Sequence, residues 1–435
     1  MNTYLTLIRN NASYRYLWLA SVVTMMGDWF NLIGTVVLIN RYTNSGTAVA
    51  ALFLARMLPP LVFGPIAGVL ADRLNRKAIM ITSDLLRIFI VLGFLLVDNP
   101  SEAWLVYTLT IAQFIISSFY GPAQSALTPS LLERKEDLLT ANTLSGITWS
   151  AMLAVGAALG GLITTLLGLH TALIIDALTF LISAVLLSKI VVPASEAKPQ
   201  AENKSESGWD QFVAGLHYVI EYPKIGVVTL VKAMLQLGST DIFMTVYASQ
   251  IFVIGEDGAI TFGLLMTSSG IGAVLGPLVA NRLGDGKMRA LQNSITVGYI
   301  LVALSWVLFG LAPTLPLAMA ALLLRAMGGS TMWTYSNTII QMKVPNQFLG
   351  RIFALDHGIF TLVASLSIWL TGLALDRLAL DPRSLALWVA GISVLPIIVW
   401  VLGTADQDQR ARWSKIIFNR NYLRALGSVK RASKA

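Results

Sequence analysis

Apolar stretches of about 20 residues, each long enough to cross about 30 Å of hydrocarbon, recur from one end of this 435-residue chain to the other. No water reaches a lipid-embedded backbone, so every N–H and C=O there must be satisfied internally, and such a chain folds as a set of transmembrane helices. Composition agrees, with 55% hydrophobic and 12% charged residues, where soluble chains carry about 25% charged. Apolar windows predict twelve spans, at 14–39, 47–71, 79–97, 103–124, 140–168, 170–191, 224–254, 260–282, 290–310, 315–340, 352–375 and 385–403. An ordinary soluble protein is excluded. Asn44-Ser45-Gly46, Asp98-Asn99-Pro100 and Gly255-Glu256-Asp257-Gly258 supply turn chemistry between neighbouring spans.

The chain has no cysteine, and its three histidines, His170, His217 and His357, are far apart in sequence. With no phosphate-binding Gly-x-x-x-x-Gly-Lys-Ser/Thr loop either, neither a metal site nor ATP hydrolysis is signalled. No cofactor is expected, and a protein of this kind that moves a solute draws on gradients. The net charge of +8 is explained by loop topology rather than by nucleic acid.

Arg9, Arg15, Arg73, Arg76, Lys77, Arg134, Lys135, Lys198, Lys204, Arg282, Lys287, Arg289, Lys343 and Arg351 fall on one side of the spans, together with a tail rich in Lys and Arg. The opposite loops hold only Arg41, Arg377 and Arg383, among Asp98, Glu102, Glu256 and Asp257. The positive-inside rule then places both termini in the cytoplasm and the chain, multi-pass, in the inner (cytoplasmic) membrane of the cell. The first span is too long for a signal-peptide core and lacks a small-residue cleavage site, so it reads as a retained helix.

A polar, low-complexity segment over 193–207 divides the chain into an N-terminal bundle (1–192) and a C-terminal bundle (224–403), followed by a basic tail (404–435). Ser207 with Asp210 forms a capping-box pattern, and Trp209, Phe212, Val213, Leu216 and Ile220 recur at helical spacing, which predicts an interfacial amphipathic helix within the 193–223 connection. In the tail, Trp413, Ile416, Ile417 and Phe418 lie among cations, a pattern suited to anionic membrane lipid.

The two halves carry matching phrases. Gly64-Pro-Ile-Ala-Gly-Val-Leu-Ala-Asp-Arg-Leu-Asn-Arg-Lys77 closes the second span, and Gly276-Pro-Leu-Val-Ala-Asn-Arg-Leu-Gly-Asp-Gly-Lys287 closes the eighth. A duplicated six-helix unit is the simplest account, and secondary transporters are often built this way. The first phrase resembles the signature loop of the major facilitator superfamily, Gly-x-x-x-Asp-Arg-x-Gly-Arg-Arg/Lys, with Asn75 where the second glycine usually stands. Asparagine tolerates the left-handed backbone of a tight turn, so this departure reads as mild. Gly27-Asp28-Trp29, Arg56 with Pro59, Gly121-Pro122-Ala123, Pro129, Ala141-Asn142, Asp176-Ala-Leu-Thr-Phe180 and Gly350-Arg351 are similar to the branch containing macrolide-efflux proteins and the enterobactin exporter. The resemblance implies the major facilitator fold, two pseudo-symmetric six-helix bundles around a central cavity. It also implies a conformational latch of Gly68, Asp72, Arg73, Arg76 and Lys77 engaging the start of the eleventh span near Gly350 and Arg351.

A charge at the bilayer centre costs at least about 2.5–3.5 kcal/mol, so intramembrane ionisable residues are functional candidates. Asp28 and Arg56 lie about 18 Å and about 15 Å into neighbouring antiparallel spans at 1.5 Å per residue, which allows a charge pair between them. Such a pair serves either proton coupling or a permanent lock between the two helices. Arg325 is again near mid-depth and suits an anionic substrate group or Asp241. Asn31, Gln113, Gln236, Asp241, Arg325 and Asn337 are the candidates to line a substrate cavity. Lys232 is less suited to that role, and Asp176 and Asp356 are expected closer to the membrane faces as solvated or capping groups. Gly146, Gly156 and Gly160-Gly161 in the fifth span are expected to pack on Gly263, Gly270, Gly272 and Gly276 of the eighth.

The expected function is secondary active transport by alternating access, as a monomer, with export of an amphipathic drug-like, macrolide-like or siderophore-like molecule driven by protons. Uptake or transfer of a lipid-like substrate such as a lysophospholipid is the rival within transport. A non-transporting receptor or scaffold is the rival from another class, and the Asp72 loop and the intramembrane charges count against it. A channel needs no gated charge network.

Overall fold

Side-chain caps and turn residues, more than propensity, set where the helices of this chain start and stop. In the computed structural model, which describes residues 2–132, 134, 137–192, 208–283, 287–378 and 380–404, twelve helices among the described residues are long and apolar enough to cross a membrane. They are α1 (Ala12–Thr43), α2 (Gly46–Arg73), α3 (Arg76–Gly93), α4 (Ala103–Ser130), α5 (Asp137–Leu167), α6 (Leu169–Ser188), α7 (Pro223–Ile251), α8 (Ala259–Leu283), α9 (Met288–Gly310), α10 (Leu315–Lys343), α11 (Asn346–Asp376) and α12 (Pro382–Thr404). Asn11 accepts a hydrogen bond from the Tyr14 N–H at 2.8 Å, Ser45 from Ala48 at 3.1 Å and Asn75 from Ala78 at 3.0 Å, capping α1, α2 and α3. Each such cap stabilises its helix by about 1 kcal/mol.

Asn44 closes α1 in the left-handed conformation (φ 44°), which reverses the chain directly into α2. Asn75 corrects an expectation. Its backbone is extended (φ −67°, ψ 108°) rather than left-handed, so the residue that replaces the usual glycine serves as the side-chain cap of α3.

Helices α1–α6 pack as one bundle and α7–α12 as another, and the bundles meet on two seams, α5 with α8 and α2 with α11. Under the six-helix repeat α5 corresponds to α11 and α8 to α2, so the two seams are one contact used twice. On the α5/α8 seam a Cβ at Gly161 would stand 2.5 Å from the Ala259 carbonyl oxygen, and one at Gly263 would stand 2.6 Å from that of Ala157. Only glycine permits backbones this close. Gly270 joins this seam, its Cβ position lying 2.7 Å from the Ala154 backbone nitrogen of α5, whereas the remaining glycines expected here face elsewhere. Gly156 and Gly160 face Trp29 and Ile33 of α1, Gly272 and Gly276 face Leu323 and Met327 of α10, and Gly146 has no described atom within 4 Å of its Cβ position. A period of 3.6 residues spreads them over several faces of their helices.

Helix α7 is broken into Pro223–Thr229, Val231–Leu235, Thr240–Val246 and a wide turn at Tyr247–Ile251. Gly238 takes φ +80° in the interruption, and Ser239 recaps the helix by accepting from the Ile242 N–H at 3.4 Å. Interrupted helices of this kind are tolerated in membranes where they are buried in protein or line a cavity. The connecting helix, Gly208–Glu221, stops before Pro223 at the first turn of α7, and its Tyr218 ring lies 4.9 Å from that of Phe348 in α11. The 193–207 segment and the tail from 405 lie outside the described residues.

Candidate functional site

The membrane face where α1 ends and α2 begins is called the far face here, and the one where α1 begins and α12 ends the near face. At the far face the bundles are locked together. Arg41 at the end of α1 donates to Glu256 at 2.5 Å and to Asp257 at 2.6 Å in the turn between α7 and α8. Asp376, the last residue of α11, accepts from the Ser45 hydroxyl at 2.5 Å and from the backbone N–H groups of Gly46 and Thr47 at 2.8 Å each. A carboxylate at a helix N-terminus satisfies unpaired amides and meets the positive end of the helix dipole. A Cβ at Gly372 of α11 would lie 2.9 Å from the Ala50 side chain of α2.

The near face is different. Gly68 of α2 and Gly350 of α11 have no described atom within 4 Å of their Cβ positions, so the seam that is tight at Gly372 has opened at its other end. The cations of the signature loop work inside their own bundle. Arg76 donates to the Ala126 carbonyl of α4 at 3.0 Å, and Lys77 donates to the Ser188 and Ile190 carbonyls at the end of α6 at 2.7 and 2.8 Å. Cations suit these carbonyl-rich helix ends. Arg73 is exposed and Arg351 lies over the Phe348 ring at 5.6 Å, while the Asp72 side chain lies outside the described residues.

Deep between the faces are two charge centres, one in each bundle. In the N-terminal bundle Asp28 does not form its expected ion pair with Arg56. Its partner is Arg87 of α3, 3.9 Å away, which also forks onto Asp84 at 2.8 Å. Arg56 instead donates to Asn31 at 3.3 Å and lies over the Phe114 ring at 4.6 Å. Asp84 accepts from Ser183 of α6 at 2.6 Å, and Arg87 is clamped between Phe180 at 4.3 Å and Tyr120 at 5.1 Å. Arg87 is 3% exposed and Asp84 fully buried, whereas the Asp28 side chain is 41% exposed. Asp28 is thus the member of this centre that reaches into open space.

In the C-terminal bundle Lys232 of α7 bonds to Asp356 of α11 and, at 2.7 Å, to Asn337 of α10, with the Trp333 ring 4.7 Å from its ammonium. Both ions are buried, which corrects the expectation of a solvated Asp356 near a membrane face. Asp176 of α6 is corrected in the same way, being fully buried. Counting residues from a helix end gives depth, and burial depends on which neighbours pack there.

Between the two centres the remaining charges face one another across the bundles. The field at Arg56 comes from Asp28, Asp176 and Asp241, and that at Asp241 from Arg325 and Arg56. Arg325 donates to the Leu235 carbonyl, freed by the break in α7, at 3.2 Å and lies 5.3 Å from the Trp306 ring centroid. Gln236 is half-buried at that break, and Gln113 is 2% exposed with its Oε1 unpaired among the described residues. Asp28, Arg56, Asp241 and Arg325 are thus partly exposed between the two centres, while Asn31, bonded to Arg56, is fully buried. Asn337 belongs to the closed Lys232 centre instead. Sequence reading missed Asp84 and Arg87, although an Asp-x-x-Arg pair inside an apolar run is a legible signal under the same insertion-cost argument.

Residues 17–368 match the sequence profile of the Major Facilitator Superfamily. The chain is similar to the MFS-type transporter YfiS of Bacillus subtilis (strain 168), 25% identical over 430 residues that cover 93% of this chain and 96% of that one. It is also similar to macrolide efflux protein A of Streptococcus pyogenes, 24% identical over 388 residues, 84% of this chain and 90% of that protein. Among solved structures, the nucleoside transporter NupG superposes with a TM-score of 0.70 at 14% identity, covering 94% of this chain and all of that one, a likeness of fold.

Proposed function

Since the chain belongs to the major facilitator superfamily and is a membrane transporter with an efflux protein among its relatives, we propose that it exports an amphipathic small molecule, drug-like, macrolide-like or siderophore-like, in exchange for protons. The observation that carries this reading is Asp28, a carboxylate 41% exposed in the central space and held by a buried arginine at 3.9 Å, longer than a direct hydrogen bond. A loose, half-solvated pair can be parted by a proton or by a cationic or hydrogen-bonding substrate at modest cost, and a tight buried pair cannot. Protonation of Asp28 frees Arg87 to Asp84 alone, and deprotonation restores the attraction. That supplies two charge states for one carboxyl.

With both termini in the cytoplasm of an inner-membrane protein, the open near face is cytoplasmic and the locked far face external. The molecule then stands ready to load from the cytoplasm. Alternating access would part the Arg41 and Asp376 contacts while closing Gly68 and the Asp72 loop on α11. The cysteine-free sequence makes orientation directly measurable, because an introduced cysteine is the only thiol. An impermeant maleimide added outside intact cells should label a cysteine at Ser45 and not one at Arg9.

The function is tested by accumulation of a panel of amphipathic antibiotics, dyes and siderophores in pump-depleted bacteria, with and without a protonophore. Wild type should lower accumulation of at least one compound, and both the protonophore and Asp28→Asn should abolish the effect. No response across the panel by a protein that reaches the membrane would sink the export reading.

A further inference from the structure

Five carboxyl or cationic side chains are buried among the described residues, the carboxyls of Asp84, Asp176 and Asp356 and the cations Arg87 and Lys232. Arg87 takes Asp84, and Lys232 takes Asp356. Asp176 is left over. It is 0% exposed, and neither of its carboxyl oxygens has a hydrogen-bond partner among the described residues.

Its surroundings explain why nothing completes it. The carboxyl lies against the bare backbone of α1 at Gly27, where a Cβ would collide with Asp176 Oδ1 and with Thr179 Oγ1. The Thr179 hydroxyl is turned back onto the Asp176 carbonyl at 2.7 Å and is not offered to the carboxyl. From α1, the Asn31 amide, its Nδ2 otherwise unpaired, is a donor near the carboxyl, and Asp28 adds a like charge. From α2 and α3, Arg56 and Arg87 contribute attraction at a distance without contact, since Arg56 is spent on Asn31 and Arg87 on Asp84 and Asp28. On α4 the nearest titratable group, Tyr120, belongs to the Arg87 clamp, and the ionisable residue of α5, Asp137, is at its first turn. An ionised carboxylate enclosed in this way without a protein partner is strongly disfavoured and takes up a proton instead.

We propose that Asp176 is a proton-binding site, a carboxyl held neutral behind the Asp28–Arg87 pair, and that Asp28 is the group through which its proton exchanges with the central space. The site rests on the proton-coupled reading above for its use, and on geometry alone for its existence. Asp28 is the next residue after Gly27, the one the Asp176 carboxyl lies against, and is the member of this group with a solvated face. A proton entering from the open side reaches Asp28 first. Its transfer inward leaves Asp28 ionised against Arg87 and Asp176 neutral, which is the arrangement the geometry favours. The reverse transfer is available when substrate displaces Arg87 from Asp28.

Infrared spectroscopy of the purified protein in lipid nanodiscs tests the site without reference to transport. At pH 7 wild type should show the carbonyl stretch of a protonated carboxylic acid, shifted by carbon-13 labelling of aspartate. Asp176→Asn should delete the band, and Asp176→Glu, which keeps a carboxyl at the same place, should move it. In Asp28→Asn the band should remain while its hydrogen–deuterium exchange slows at least tenfold. Absence of the aspartate band in wild type at pH 7 overturns the proposal even if the asparagine variant fails to fold, as does a band unaltered in Asp176→Asn or an exchange rate unaltered in Asp28→Asn. Export that ignores the protonophore beside a band that obeys these rules would remove proton coupling and leave the site standing. Coupled export with no band would do the opposite.

Discussion

The two bundles are copies of one six-helix plan, yet their charge centres differ in kind. The C-terminal centre is closed: Lys232 and Asp356 are 4% and 2% exposed, Asn337 fills a further donor of the ammonium, and Trp333 covers it. The N-terminal centre is open and acid-rich, with Arg87 shared between a buried and a half-exposed carboxylate and Asp176 unpaired beside them. One plan thus yields a closed centre and an open one. Duplication supplies the scaffold of alternating access twice, and the chemistry needs to be installed only once.

Substitutions sharpen or break this contrast, and the largest effect belongs to the closed centre. Lys232→Met leaves Asp356 buried without its cation, a change that costs about 3–5 kcal/mol, and should lower the unfolding temperature in detergent sharply. The double variant Lys232→Met/Asp356→Leu should recover much of it. Unchanged unfolding in the single variant would show that the closed centre is not holding its bundle.

Next in size is the far-face lock. Asp376→Ala removes three hydrogen bonds to the start of α2, which together contribute roughly 1–3 kcal/mol. A cysteine at Ala50, a position buried in the α2/α11 seam, should then react with an impermeant maleimide about tenfold faster or more, since about 1.4 kcal/mol is tenfold in an equilibrium. An equal rate would mean that the α5/α8 seam alone keeps the bundles shut. The smallest effect on stability should come from Asp28→Asn. Its pair is long and half-solvated, so the shift stays within about 1 kcal/mol, although the same change is expected to abolish export. If Asp28→Asn destabilises as much as Lys232→Met, the two centres are alike and the contrast fails.

Much of the architecture was legible because hydrocarbon leaves the backbone few choices. All twelve spans follow from apolar runs and turn residues, and the signature loop after α2 pointed to the superfamily. The pairing inside the bundles was not legible. Asp84 and Arg87 lie inside the third span as read, 79–97, where the insertion-cost argument applied to Asp28 singles them out as well. Asp28 and Arg56 sit at matching depths on adjacent helices, but depth does not give azimuth, and the long Arg87 side chain of α3 reaches Asp28 where Arg56 turns to Asn31. Asp176 and Asp356 were misjudged for the converse reason, that a residue near the end of a span is enclosed when a neighbouring helix overhangs it. Asn75 shows the local version, where a residue chosen for one backbone conformation was being used for its side chain.

The Arg41 contacts carry a further consequence. Its partners Glu256 and Asp257 are about as exposed as it is, at 36% and 37% against 36%, so dissolved ions compete for all three. The screening length is about 8 Å at physiological ionic strength and about 3 Å at 1 M. The Asp376 contacts are hydrogen bonds to backbone amides and suffer less. With the far face outside, as proposed, the salinity of the surroundings sets part of the conformational balance. On that reading the resting molecule should spend more of its time open to the exterior in brine, and in fresh water should wait, shut on that side, for cargo from within.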